Sequence, residues 1–244
     1  MRAMKTNGFI GTLRRLRSLS AAACCFTLVF ALSPLAPVAS TTSSDIVAGR
    51  ARVVDGDTIE IDRERIRIHG IDAPESAQTC SHAAGGTWRC GDASMRALVQ
   101  LTTGKTVTCE RRGRDLYGRT IAVCRADGAD VGGELVRQGL AWAFVRYSRD
   151  YVALERAARA ARVGLWQAQA TPAWEFRATR WAGAQQKAPE GCPIKGNISA
   201  RGRIYHMPWS PWYHKIKMDT AGGKRWFCSE SEAQAAGWRP AAMR

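Results

Sequence analysis

The sequence predicts an α+β protein: a five-stranded β-barrel of the OB type with about three helices, followed by a small disulfide-bonded C-terminal module. Three observations lead to this fold class. Short β-type runs are separated by turn residues, helix-type segments lie between and after them, and the cysteines beyond residue 40 form an even set. Of the 244 residues, 45% are hydrophobic and 23% are charged. That composition excludes a disordered chain, a collagen and a multi-span membrane protein.

The barrel prediction depends on five β-type runs. They are, in order, 48–54, 58–61, 66–71, 105–110 and 120–125. Residues 55–57, Asp-Gly-Asp, form a turn between the first two runs, and Asp-Leu-Tyr-Gly-Arg at 115–119 forms the later turn. The third run alternates apolar and polar side chains, which places Ile66 and Ile68 on one face.

Three segments have helical patterns, at about 92–103, 134–138 and 149–163. Asp92 is a candidate cap for the first helix, and a glycine follows the end of each segment. We therefore predict one barrel domain over 46–166, which is long enough for a single core. A small barrel of this type offers a face for oligonucleotides.

The chain beyond the barrel divides into two predicted parts. Residues 167–190 lose their periodicity and contain Trp174, Trp181 and two prolines, which favours a tryptophan-containing arm and a linker. Residues 191–240 form a small module bracketed by Cys192 and Cys228.

The N-terminal segment 1–40 is typical of a secretory signal peptide. Arg14, Arg15 and Arg17 precede an apolar run from about Leu19 to Leu32, and small residues follow it. We expect a periplasmic or secreted protein, with an uncleaved N-terminal membrane anchor as the alternative.

Six cysteines remain beyond that segment, an even number that in an exported chain indicates disulfides. Six cysteines allow 15 pairings, and pairing of sequence neighbours is the most attractive. The predicted pairs are Cys80–Cys90, Cys109–Cys124 and Cys192–Cys228. A zinc site is the rival interpretation, but no Cys-x2-Cys pair or His-Cys cluster favours it.

The formal net charge is +15, from 36 basic and 21 acidic residues. A basic protein attracts polyanions, which include nucleic acid, acidic polysaccharide and anionic lipid. Residues 192–244 are the most strongly basic part beyond the N-terminal segment, with nine basic and three acidic residues. Charge alone does not choose among these partners.

Three short motifs combine acids and arginines: residues 54–58 (Val-Asp-Gly-Asp-Thr), 67–75 (Arg-Ile-His-Gly-Ile-Asp-Ala-Pro-Glu) and 115–119 (Asp-Leu-Tyr-Gly-Arg). Each motif alone is compatible with an ordinary turn or surface. In this order the three resemble the staphylococcal nuclease family. The resemblance extends from about Arg50 to Trp166 and includes residues 134–141, Glu-Leu-Val-Arg-Gln-Gly-Leu-Ala.

The resemblance implies a role for each matching residue. The implied site consists of metal ligands Asp57, Asp72 and the backbone carbonyl of Ala73, a general base Glu75, phosphate-binding Arg67 and Arg119, and nucleotide-pocket tyrosines Tyr117 and Tyr147, with Asp55 near the metal. The implied cofactor is one Ca²⁺ ion. Val145 stands where the family has another pocket tyrosine, which leaves the nucleotide preference open.

These residue types suit phosphodiester hydrolysis. Carboxylates and a carbonyl provide the hard oxygen ligands that Ca²⁺ prefers. The ion neutralises phosphate charge and orients a water, and a carboxylate can accept that water's proton. Arginine offers a planar fork to two phosphate oxygens.

The C-terminal module resembles the sunset module of exported bacterial nucleases. Its aromatic residues alternate with cations, which suits base stacking and phosphate binding. The alternative is that a module of about 50 residues needs most of its tryptophans for its own core. His206 and His214 are weak candidates for metal ligands.

We expect an exported, metal-dependent nuclease that cleaves DNA and RNA. Nucleic acid is the expected substrate, no small-molecule cofactor or stable protein partner is implied, and the protein is expected to be a monomer. One alternative is a barrel that binds nucleic acid without catalysis. Another is a protein associated with the envelope or with exopolysaccharide.

Overall fold

The computed structural model describes residues 45–241. The predicted signal peptide or anchor, residues 1–40, lies outside this range. Within residues 45–241, no helix has the length and apolar character needed to cross a membrane.

The described residues form short strands and five α-helices. The strands are β1 Ile46–Gly49, β2 Arg52–Asp55, β3 Thr58–Ile61, β4 Glu64–Ile68, β5 Ile71–Asp72, β6 Cys80–Ser81, β7 Thr87–Trp88, β8 Val107–Arg114, β9 Thr120–Ala126, β10 Ala129–Asp130, β11 Trp142–Ala143, β12 Ile194–Ser199, β13 Gly202–His206, β14 Arg225–Phe227 and β15 Arg239–Pro240. The helices are α1 Cys90–Thr102, α2 Val131–Arg137, α3 Val152–Ala160, α4 Ala173–Gln185 and α5 Glu230–Ala235, with 3-10 turns at Gly164–Gln167, Pro189–Gly191 and Tyr213–Lys215.

The main sheet curls into the predicted OB-type barrel. Its strand order is β1-β8-β9-β4-β3-β2, and β10 adds to β9. The predicted run 48–54 is two strands, because β1 pairs with β8 whereas β2 pairs with β3. These two strands follow each other in the chain but form the opposite ends of the strand order. The sheet must therefore curl until its two edges approach each other. The predicted α+β class is confirmed.

The bend between β1 and β2 brings the backbone close to β3. A Cβ atom added at Gly49 would lie 2.8 Å from Cγ2 of Ile61. A larger residue at Gly49 would push apart the contact between the start of the barrel and its buried third strand.

The barrel core follows the predicted alternation. Ile59, Ile61, Ile66 and Ile68 are fully buried, and each contributes about 1.5–3 kcal/mol when it leaves water. Helices α1 and α2 add further buried side chains to this core. Because strand side chains alternate between faces, Arg67 points away from the core that holds its two isoleucine neighbours.

Two helix starts differ from a simple interpretation of the sequence. Helix α1 begins at Cys90, and Asp92 forms an ion pair with Arg89 at 2.6 Å; it does not cap the helix. Helix α2 begins at Val131, where the Asp130 carboxylate accepts a hydrogen bond from the Gly133 amide at 2.9 Å. The cap of the second helix therefore lies four residues before the predicted start at 134.

The six cysteines form the three predicted disulfides, Cys80–Cys90, Cys109–Cys124 and Cys192–Cys228. The second joins directly opposed residues of β8 and β9. The first ties the short β6–β7 hairpin to the beginning of α1. The third closes the C-terminal module.

The C-terminal module has its own small sheet, with strand order β14-β12-β13-β15. Its core contains Ile194, Tyr205, Phe227, Ala233 and Trp238. Of the four tryptophans in the module, only Trp238 belongs to this core, whereas Trp209, Trp212 and Trp226 are partly exposed. The expectation that the module needs most of its tryptophans for its own core therefore does not hold.

The range 167–190 differs from the expected arm and linker, because it contains the 13-residue helix α4. Ala173 at its start is buried in the cluster around Trp142, and Trp181 near its end packs against the core of the C-terminal module. The described residues of the barrel and the module belong to one compact unit. The module is thus joined to the barrel by a packed helix and is not tethered by a free linker.

Candidate active site

The site begins at the tight turn between β2 and β3. A Cβ atom added at Gly56 would lie 2.9 Å from the Cβ of Ala73 and 3.2 Å from the Cβ of Ser94. Only a glycine allows this turn to pack against the loop after β5 and against α1. The buried carboxylate of Asp57 then accepts hydrogen bonds from the Thr58 hydroxyl and from the Ala73 amide, both at 3.0 Å.

The second acidic segment follows β5, which pairs with β11 so that Asp72 lies opposite Trp142. Asp72 is completely buried, and Glu75 lies three residues further along the chain, also buried. The backbone at Glu75 is pressed against α1, since a Cβ atom at Gly91 would lie 1.8 Å from the Glu75 carbonyl oxygen. This close packing fixes the position of the second acidic segment.

Arg67 joins the two acidic segments. Its two terminal nitrogens donate to Asp57 Oδ1 and to Asp72 Oδ1, each at 2.6 Å. The predicted residues Arg67, Asp57 and Asp72 therefore form one buried, charge-assisted cluster.

A second arginine, Arg177 of α4, reaches the same carboxylates. Its Nη1 donates to Glu75 Oε1 at 2.8 Å and to Asp72 Oδ1 at 3.1 Å, and its Nη2 donates to Asp72 Oδ2 at 2.8 Å. None of the three sequence motifs includes this residue, and no role was predicted for it. The sequence does contain a pattern that indicates a helix here. Trp174, Arg177, Ala178 and Trp181 have the i, i+3, i+4, i+7 spacing of one helix face.

Burial and the neighbouring charges shift the pKa values of several groups in and beside the cluster. Burial raises the pKa of Asp55 well above its ordinary value, and the charges of Glu75 and Asp57 raise it further. Burial likewise raises the pKa of Glu75 to about 7, against the opposing charge of Arg177. Burial disfavours the charge on Arg177, but its hydrogen bond and ion pair with Asp72 raise its pKa above the ordinary value. Carboxyl groups of this kind are typical of functional sites.

Arg67, Glu75 and Arg177 line a cleft of about 940 Å³, and the buried Asp57 and Asp72 contact these lining arginines. Six arginines line it, namely Arg67, Arg112, Arg114, Arg119, Arg146 and Arg177. The aromatic side chains that line it are Phe144, Tyr117, Tyr147, Trp174, Trp181 and Trp209. Trp209 belongs to the C-terminal module, so both the module and α4 contribute to the wall of the cleft. Cations and aromatic rings together match the phosphates and bases of nucleic acid.

Arg119, Tyr117 and Tyr147 also line this cleft, whereas Ala73 is buried beside Asp57. Arg119 is held by Asp115, whose Oδ2 accepts from Arg119 Nε at 2.6 Å. Tyr117 and Tyr147 lie at the rim, 42% and 64% exposed, and the Arg119 guanidinium lies 5.4 Å from the Tyr117 ring centroid. Val145 is also exposed, so it leaves a gap in the aromatic rim where the resemblance implies a tyrosine.

The donor set fits a hard divalent cation in its chemistry. Asp57 and Asp72 both present oxygens to a single guanidinium, so they are close enough to share a cation. Carboxylate and carbonyl oxygens are the ligands of Ca²⁺. Across residues 45–241, however, no group of three or more His, Cys, Asp or Glu side chains is arranged to hold a metal ion. Guanidinium groups lie on the carboxylates instead. The same finding removes support for His206 and His214 as ligands.

The chain is similar to known proteins over most of the barrel. Residues 65–168 match the family model described as staphylococcal nuclease homologue. The succinoglycan biosynthesis protein ExoI of Rhizobium meliloti strain 1021 is 38% identical over 146 residues, which cover 57% of this chain and 74% of the relative. An uncharacterized endonuclease of Escherichia coli O157:H7 is 39% identical over 142 residues, covering 55% and 86%. A micrococcal nuclease of Shigella flexneri is 34% identical over 144 residues, covering 52% and 77%.

The C-terminal part matches a different family model. Residues 176–240 match the model described as ArfC, which does not confirm the resemblance to a sunset module. Arg177 falls inside this second match and outside the first.

Proposed function

Because the chain belongs to the staphylococcal nuclease family, it is a nuclease, and we propose that it hydrolyses phosphodiester bonds of both DNA and RNA with one bound Ca²⁺ ion. The single observation that carries the proposal is the cluster of Asp57, Asp72, Glu75 and Arg67, of which Arg67 and Glu75 line an arginine-rich cleft while the two aspartates are buried against Arg67. We further propose that the protein acts as a monomer.

Asp57, Asp72 and the carbonyl of Ala73 are the residues that would hold the ion. When bound, the ion would supply positive charge to the substrate phosphate and orient a water for attack. Asp57 is already oriented for this role by the Ala73 amide and the Thr58 hydroxyl.

Two arginines bind the phosphate in this proposal. Arg67 uses two of its five N–H donors on carboxylates, and it lines the cleft beside them. Arg119 is oriented by Asp115, which belongs to the same turn between β8 and β9. A planar fork from each guanidinium stabilises the charge that grows on the phosphate oxygens during attack.

Glu75 accepts the proton of the attacking water. A general base works best when its pKa lies near the working pH, and burial raises the pKa of Glu75 to about 7. Its carboxylate lies beside Asp72, which places it next to the proposed ion.

We also propose that the protein is exported to the periplasm or beyond the cell. The basic and then apolar composition of residues 1–40 supports this proposal. The three disulfides support it as well, because disulfides persist in oxidising compartments.

A second candidate is a role with exopolysaccharide, favoured by the name of the ExoI relative. An acidic polysaccharide would meet the same arginines in the cleft. The cluster of acids with Arg67 favours phosphate chemistry over this candidate, because carboxylate ligands and a guanidinium fork match a phosphodiester.

The test is digestion of plasmid DNA and of RNA by the purified protein, with Ca²⁺ and with a chelator. We expect cleavage of both substrates in Ca²⁺ and none in chelator. Asp57→Asn should abolish cleavage, whereas Asp127→Asn, which changes an exposed acid, should leave it unchanged. Full activity in chelator would contradict the metal dependence, and cleavage of an acidic polysaccharide without cleavage of nucleic acid would favour the second candidate.

A further inference from the structure

We propose that Arg177 sets the affinity of the site for its divalent cation, because its guanidinium occupies Asp72 and Glu75 until the cation displaces it. The inference rests on the proposed function, since it assumes that a divalent ion binds at these carboxylates. It assigns a role in the site to a residue of α4, outside the barrel that contains the other site residues.

The contacts of Arg177 are those of a bound cation. Two of its nitrogens make three hydrogen bonds to two carboxylates, at 2.8, 2.8 and 3.1 Å. Asp72 is completely buried and the Glu75 side chain is 9% exposed, whereas the Arg177 side chain is 23% exposed. The guanidinium therefore covers the acids from the solvent side of the cleft.

Asp72 has no carboxylate oxygen free of a guanidinium. Arg67 contacts Oδ1, and Arg177 contacts both Oδ1 and Oδ2. A divalent ion that uses Asp72 as a ligand must take an oxygen from one of the two arginines. Arg67 also bonds to Asp57 and belongs to β4, which is paired with a strand on each side, so Arg177 is the arginine that leaves.

Like charges explain why the two cations exclude each other. A divalent ion on Asp72 Oδ2 would stand within a few ångströms of the Arg177 guanidinium, which contacts both oxygens of that carboxylate, whereas Arg67 contacts only Oδ1. In a poorly solvated site these charges repel each other much more strongly than in water. The free protein needs Arg177 for the opposite reason. Four acids, Asp55, Asp57, Asp72 and Glu75, lie together, and their unpaired charges would be costly when buried.

Helix α4 can keep its place when the guanidinium leaves. Ala173 is completely buried, and the Trp174 ring lies 6.0 Å from the ring of Trp142. Trp181 packs against the C-terminal module and lies 6.4 Å from the Trp209 ring. These apolar contacts do not involve Arg177, so a change of its side-chain conformation is enough to open the site.

Calcium titration calorimetry on the purified ion-free protein, without nucleic acid, tests the proposal. Arg177→Gln should bind Ca²⁺ at least about tenfold more tightly than the wild type, because a competing charge-assisted contact is gone. Arg177→Lys keeps the positive charge, so its affinity for Ca²⁺ should stay close to that of the wild type. Arg180→Gln is the matched control, because Arg180 lies on the same helix and its guanidinium is placed over the Phe176 ring. This control should bind Ca²⁺ like the wild type.

A spectroscopic measurement separates displacement from long-range repulsion. Slowly exchanging guanidinium N–H signals of Arg177, identified by their absence in Arg177→Gln, should be present in chelator and lost at saturating Ca²⁺. Equal Ca²⁺ affinities for wild type and Arg177→Gln, or weaker binding by the variant, would overturn the proposal. So would guanidinium signals that persist with Ca²⁺ bound. If neither protein binds Ca²⁺, the metal dependence in the proposed function fails as well, and digestion in chelator would show that failure separately.

Discussion

Replacing Arg67 by methionine tests the buried cluster most directly. The substitution keeps much of the side-chain length but removes two charge-assisted hydrogen bonds of 2.6 Å. The Arg67 side chain is 19% exposed, and its partners Asp57 and Asp72 are 5% and 0% exposed. Breaking a buried ion pair from one side typically costs about 3–5 kcal/mol, because the other charge is left without a partner.

The structure places the expected loss at the lower end of that range. Asp72 keeps its two bonds to Arg177, and Asp57 keeps the Thr58 hydroxyl and the Ala73 amide. We therefore expect the free energy of unfolding to fall by about 3 kcal/mol in the ion-free protein. If the free energy of unfolding falls by about 2 kcal/mol for each molar increase in urea, the urea concentration at the unfolding midpoint would fall by roughly 1.5 M.

The assay is urea unfolding in chelator with the disulfides intact. Arg52→Met is the matched control, because Arg52 pairs with Glu60 at 2.8 Å but the two side chains are 50% and 24% exposed. An exposed pair of this kind contributes about 0–1 kcal/mol. If both variants lose the same stability, the carboxylates do not depend on Arg67, and the description of a mutually supported cluster is wrong.

Three further predictions follow from the site and the module. Arg119→Lys keeps the charge but loses the planar fork, so kcat on a short oligonucleotide should fall by about two orders of magnitude; a wild-type rate would remove Arg119 from the phosphate site. In chelator, the folded protein holds a proton on Glu75 up to about pH 7 that the unfolded chain releases near pH 4.5. The free energy of unfolding should therefore fall by roughly 3 kcal/mol as the pH rises between these values. In Glu75→Gln this part of the loss should disappear. Equal losses of stability between pH 5 and pH 8 in the two proteins, measured by urea unfolding, would contradict this prediction. Replacing both Cys192 and Cys228 by serine should cost about 2–4 kcal/mol, measured as a lower melting temperature of the module's tryptophan fluorescence; an unchanged transition would show that the disulfide does not stabilise the module.

The barrel could be predicted from the sequence because its signals are local. Alternating isoleucines mark β3 and β4, and turn residues mark the hairpin ends. The neighbour pairing of the cysteines was predictable for the same reason, since β8 and β9 are consecutive strands of a hairpin that places Cys109 opposite Cys124. The split between β1 and β2 was not predictable, because it depends on which distant strand each half pairs with.

The grouping of Asp57, Asp72 and Arg67 in the candidate site could be predicted from the sequence, but the contact of Arg177 with these acids could not. Asp57 and Asp72 belong to short motifs whose order along the chain is distinctive. Arg177 belongs to no such motif, and its partners lie 102 and 105 residues earlier. The two prolines of residues 167–190 favoured an arm and a linker, although Trp174, Arg177 and Trp181 share one helix face. The packing of Trp181 against the module, which holds this helix in place, is a tertiary contact with no local signature.

The position of α4 changes what the C-terminal module is expected to do. A freely tethered module would act only by raising the local concentration of substrate. Here Trp181 joins the core of the module to the helix that carries Arg177, and Trp209 of the module lines the same cleft. The module therefore supports one wall of the cleft, and its loss would also loosen the helix that places a guanidinium on Asp72. Binding of long nucleic acid and affinity for the divalent ion would then change together. A tethered module would alter only the binding of long nucleic acid.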